Sequence, residues 1–154
     1  MSEITFVVEQ LNSIHYGPAW HGPSLSEILS GITFEDAFRK PIQGAHSIFD
    51  LVHHIAAWQN VFAIRLEGNA IDEPAEGDFP AADFGSPEDW AAALQRLEDS
   101  HQRIVRVISS LEGADLEQVI PGKEYTRRLL VFGSIPHNVY HSGQIVIVKK
   151  SLNL

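Results

Sequence analysis

The chain has 154 residues, 44% of them hydrophobic, which suits one globular domain, 1–154, able to bury its own core. A formal net charge of −9 with 11 mostly scattered basic residues offers no stripe to neutralise a phosphate backbone, so no nucleic-acid partner is expected. Cysteine is absent, which excludes disulfides and thiolate metal ligands; with no signal-like leader and no bilayer-length apolar run, a cytoplasmic protein without a membrane partner is expected.

In chain order, the first helix is predicted over Glu3–Ile14, with Phe6, Val7, Leu11 and Ile14 at helical spacing and Gly17-Pro18 as the stop. A long connection from Pro18 to His46 follows, with short helices expected at Ser24–Leu29 and Phe34–Phe38. Ser47 is the expected N-cap of a second long helix ending near Glu67, before Gly68-Asn69. Asn69–Gly85 is acidic and rich in Pro, Gly and Ala, hence a surface loop. Ser86-Pro87-Glu88 opens the third long helix, which runs to Leu111. After a connection with a turn or strand-like piece at Tyr125-Thr126-Arg127, the fourth spans Phe132–Leu152, with Pro136 marking its start or a kink. Four main helices without regular strands predict an all-α four-helix bundle with long crossover connections.

The chemistry concentrates on two of these helices. His137 and His141 are four residues apart and therefore share a face, where they can hold one metal ion. On the second helix, Leu51, Ile55, Trp58, Phe62 and Leu66 form the apolar stripe. At about 100° per residue His54 lies at the edge of that stripe, while His53 projects nearly opposite. His54, His137 and His141 would make a three-His site with room for a further ligand, as in catalytic centres. Other metal templates fit poorly. Asn138 stands where a zinc-protease helix needs Glu, helix four offers no carboxylate for a di-iron centre, and Glu98-Asp99-Ser100-His101 reads as a solvated face.

Several neighbours have two readings each. Gln144 could hydrogen-bond a ligand imidazole or merely satisfy a buried group. Asp50 could orient His54 or face solvent, and helical phase favours solvent. Trp20 is expected to anchor packing and His21 to be partly exposed, although His21 is also a candidate acid or base. His15, His46, His53 and His101 carry no signal beyond solvated positions. Trp58, Phe62, Trp90 and Tyr140 read as core or interface aromatics.

The run Ser47-Ile48-Phe49-Asp50-Leu51-Val52-His53-His54-Ile55-Ala56-Ala57-Trp58 resembles the first ligand helix of the DinB/YfiT-like superfamily, with His54 at the ligand position. The later run His137-x-x-x-His141-Ser142-Gly143-Gln144 resembles that family's second signature, and Trp20-His21-Gly22-Pro23-Ser24 resembles the segment after its first helix. The resemblance implies an up-up-down-down-like bundle, a divalent metal (zinc, nickel or iron) on three histidines, and frequent homodimers. It also implies a metal-dependent hydrolase, or a transferase using a low-molecular-weight thiol such as bacillithiol or mycothiol, acting on a small-molecule substrate; a glutathione-dependent isomerase is also among the relatives. The alternative is a non-catalytic, metal-stabilised bundle serving binding or dimerisation.

Overall fold

A computed structural model describes residues 1–80, 82 and 85–154. The helices are α1 (Glu3–Tyr16), α2 (Leu25–Leu29), α3 (Phe34–Phe38), α4 (Ile48–Leu66), α5 (Pro87–Ser109) and α6 (Arg127–Ser151), with a 3-10 turn at Gly113–Glu117. Each α-helix begins at a Ser or Thr whose hydroxyl accepts a first-turn N–H: Ser2, Ser24, Thr33, Ser47, Ser86 and Thr126. These hydroxyls satisfy donors that the helix itself leaves unpaired, which is why each helix starts there. At α2, α4 and α5 the acidic residue three positions on returns the bond to the cap's own N–H.

The cross-helix contacts fix the direction of every long helix. His53 meets Arg96, Gln59 meets Ser100 and Asn60 meets Arg103, so α4 and α5 run parallel. His54 meets His141 while Phe62 meets His137, so α6 runs against α4. His15 reaches Glu98 and Asn12 reaches His101, so α1 opposes α5. The bundle is therefore up-down-down-up, which corrects the up-up-down-down order implied by the resemblance. Its all-helical four-helix architecture is as expected. Only the parallel step from α4 to α5 must return along the bundle, about 28 Å for the 19 residues of α4. The connection between them makes that return, and among its described residues Asp78 and Phe79 pack against His54.

The core divides along the bundle axis. One half gathers Ile48, Leu51, Val52 and Ile55 of α4 with Trp90, Ala93 and Leu97 of α5, Ile145 and Val148 of α6, and the short helices α2 and α3. The other joins Val61, Phe62 and Leu66 to Val7, Leu11, Ile104, Ile108, Leu130 and Val131. Helix α4 is buried on nearly every side and acts as the central post. No helix among the described residues is long and apolar enough to cross a membrane.

Several sequence expectations require correction. Helix α6 begins at Arg127 rather than Phe132, so Pro136 lies inside it at an exposed position instead of marking its start. The strand-like piece reduces to one bridge, Val119 with Thr126. Trp20 is fully exposed and anchors nothing; Tyr140 is also largely exposed, whereas Phe62 and Trp90 are core. Asp50 is buried, because its carboxylate accepts the Ser47 N–H at 3.0 Å and lies 3.4 Å from Lys40 Nζ. It caps the helix rather than facing solvent.

His15 and His101 are likewise buried, stacked on each other at 4.0 Å, with His15 bonded to Glu98 and His101 to Asn12. The 98–101 run is accordingly a helix seam, with Ser100 and His101 pointing inward. Burial, reinforced by the neighbouring His15, pushes the His101 pKa down to about 3. The Asn69–Gly85 segment has no helix or strand among its described residues, while positions 81, 83 and 84 of it lie outside them.

Candidate metal centre

The antiparallel pairing of α4 and α6 brings His54, His137 and His141 to one level. One ligand atom from each lies within 4.8 Å of the others, an arrangement that could hold a metal ion. His54 and His141 are buried, and His137 is the partly open member. His53, one residue from His54, points elsewhere: its Nε2 meets Arg96 at 2.8 Å. The 100° step separates the adjacent histidines as expected.

The proton positions on the two buried rings follow from their partners. His54 Nδ1 lies 3.1 Å from the Asp78 carbonyl oxygen and 3.2 Å from the Asp78 carboxylate. Both neighbours only accept, so His54 Nδ1 carries the proton. His141 Nδ1 donates to Gln144 Oε1 at 2.6 Å. Burial lowers the pKa of both rings, and drives His137 to about 4 with help from the adjacent His141 and His54. A neutral imidazole has one N–H. Both Nε2 atoms therefore present lone pairs, and these face each other 3.0 Å apart. Two acceptors at that distance repel unless a cation lies between them. His137 Nδ1 adds a buried nitrogen with no hydrogen-bond partner among the described residues. The donor set thus fits a divalent ion on neutral imidazoles.

The surroundings are aromatic. Phe79, from the α4–α5 crossover, is sandwiched between His46 at 3.6 Å and His54 at 4.2 Å, nearly parallel to both. Asp78 also accepts the Trp58 indole N–H at 2.7 Å. Trp58 and Phe62 flank His137 at 6.5 and 5.3 Å. His46 is thus packed against the crossover rather than being merely solvated. A cavity of about 350 Å³ adjoins Gln144 and His46, and one of about 230 Å³ adjoins His137 and Phe62.

The structure does not bring His21 to this cluster. It is exposed on the α1–α6 seam, in a small hollow with Gln10, Ile14, Ile135 and Val139. Sequence reasoning missed Asp78 and Phe79, whose segment reads only as acidic, Pro- and Gly-rich loop. Asp78 had one usable signal, since a His ligand usually donates its second N–H to an oxygen, but nothing in sequence spacing says which.

A sequence model of the DinB superfamily matches residues 20–145. No curated protein and no solved structure matches the chain.

Proposed function

The chain belongs to the DinB superfamily, and from that premise we propose that it is a metal-dependent enzyme acting on a small molecule, with His54, His137 and His141 as the metal ligands. The observation that carries this reading is the pair of Nε2 lone pairs facing each other at 3.0 Å, each fixed by an acceptor on the opposite ring nitrogen. A divalent ion held by three neutral imidazoles keeps its full charge and open positions, and so supplies the acidity that turns water or a small thiol into a nucleophile near neutral pH.

The chain's own residues have separate tasks. Gln144 and Asp78 hold the His141 and His54 rings in the tautomer that leaves Nε2 free. Trp58, Phe62 and Phe79 surround the cluster with aromatic surface and limit water. His137 is the side by which substrate arrives, being the least buried of the three. Gln144 is a positioning residue in this scheme, and His21 has no part in it.

The test is a screen of protein loaded separately with zinc, nickel and iron(II). Thiols such as bacillithiol, mycothiol and glutathione are combined with electrophiles, and simple esters and amides are tried in parallel. Thiol consumption or hydrolysis that is present in wild type and lost in His54→Ala is expected. Activity that persists in His54→Ala would remove the metal from the mechanism. Inactivity throughout, with metal bound, would leave a metal-stabilised binding bundle.

The homodimer is carried as part of this proposal. Leu129, Tyr140 and Ile147 are 60% or more exposed at helical spacing along α6, an apolar outer face suited to a second copy. Sedimentation should show a species of twice the 17.1 kDa chain mass; a monomer at micromolar concentration would remove this part.

A further inference from the structure

Arg65 stands in the last turn of helix α4 and lines a cavity that His137 also lines. It is only 6% exposed. Its Nε donates to the Ile71 carbonyl at 3.0 Å, Nη1 to the Tyr125 hydroxyl at 3.0 Å, and Nη2 to the Asp72 carbonyl at 2.6 Å. The guanidinium also lies over the Trp58 ring, 5.5 Å from its centre. The three acceptors are neutral oxygens; the Asp72 carboxylate, which also feels the charge of Arg65, is paired with Lys123 Nζ instead.

The other arginines differ. Arg39, Arg96, Arg103, Arg127 and Arg128 each pair with a carboxylate, and Arg106 is exposed to solvent. Arg65 is buried without a carboxylate partner among the described residues, in a chain whose net charge is −9. A buried charge is costly unless countered. Holding two carbonyl oxygens and a phenol needs hydrogen-bond donors but no cation. Each terminal nitrogen keeps a second N–H with no partner among the described residues, and the Tyr125 hydroxyl, accepting from Arg65, keeps its own proton to donate.

Arg65 and Tyr125 both line a cavity of about 230 Å³, together with Phe62, Leu130, Gly133 and His137. Its walls are otherwise apolar, and its size is below the range that takes drug-sized ligands. We propose that this cavity is a carboxylate subsite: Arg65 and Tyr125 grip the carboxylate of a small molecule whose short apolar body lies along Phe62 and Leu130 toward His137. This rests on the reading of the three histidines as the reacting centre for its orientation, and on Arg65 alone for its charge preference. It makes the substrate of the proposed enzyme a small organic acid.

Hexanoate and its neutral counterpart hexanamide are the probes, titrated into the full chain with and without bound zinc and followed by NMR shifts of the Arg65 Nε–H and Trp58 indole N–H. Hexanoate should bind about tenfold or more tighter than hexanamide, as expected for a charge-assisted bond. Its shifts should centre on Arg65, Tyr125 and Gly133. Arg65→Gln should erase the preference while leaving hexanamide affinity unchanged. Tyr125→Phe, which leaves the guanidinium in place, should reduce the preference several-fold and serves if the Arg65 variant does not fold.

Equal binding of acid and amide by wild type would overturn the inference, as would shifts centred elsewhere or a preference that survives both substitutions. The zinc-free arm separates the two readings. A carboxylate preference in a protein that binds no zinc supports the subsite and sinks the metal centre. Zinc binding without any carboxylate preference sinks the subsite alone.

Discussion

At the residue scale, His54 and His141 each give the Nδ1 proton to an oxygen and leave Nε2 bare, and both Nε2 atoms aim at the same point. In the proposed centre Gln144 would therefore act on metal affinity rather than on the fold. Gln144→Ala should weaken zinc binding about 10–100-fold, the usual cost of losing a partner that orients a ligand ring. The thermal midpoint of the metal-free protein should barely move; competition with a chromophoric chelator reads the first and calorimetry the second. An unchanged zinc affinity would make Gln144 a bystander. The choice of His54 over His53 was legible from helical phase alone. The burial of His15 and His101 was not, because each is decided by a partner on another element, Glu98 or Asn12; Asp50 is held by the local Ser47 cap together with Lys40, which lies outside α4.

At the scale of elements, local rules served well wherever the signal was local. Ser47 and Ser86 were readable as helix starts because a cap hydroxyl, with Pro87 at the first helical position in the second case, is a short-range signal. Helix α6 also opens on such a hydroxyl, Thr126, but Pro136 imitates a start signal, so its opening turns were missed. Pro136 is tolerated there because it sits on the exposed face. The Ser47 cap is buried together with its reciprocal partner Asp50. Ser47→Ala should therefore cost about 1–2 kcal/mol, at the upper end for a cap, measured by urea unfolding. A loss below a few tenths would mean that water replaces the hydroxyl. The parallel α4–α5 pair could not be read from the sequence, since it depends on which faces meet. It is also what lays the crossover, with Asp78 and Phe79, against the His54 ring.

For the molecule as a whole, buried neutral histidines link stability to pH. His101 has its pKa lowered from 6.5 to about 3, and those of His15, His54, His137 and His141 are lowered as well, in each case chiefly by burial. Between those lowered values and 6.5 the unfolded chain binds more protons than the folded one, so stability rises with pH and falls on acidification. Each group contributes up to about 1.4 kcal/mol per pH unit in that window. In chelator, the urea midpoint should drop steadily from pH 7 to pH 5, above the carboxylate range, and His101→Gln should flatten the slope. A midpoint that does not change over this range would mean these rings are protonated in the folded protein.

The most direct test of the central claim is the zinc stoichiometry and affinity of purified, demetallated protein, measured by titration against a chelating indicator at pH 7.5. One zinc per chain, with affinity lost by at least a hundredfold in His54→Ala and in His141→Ala while both variants stay folded, is the predicted result. No zinc uptake by wild type, or undiminished uptake by both variants, would contradict it.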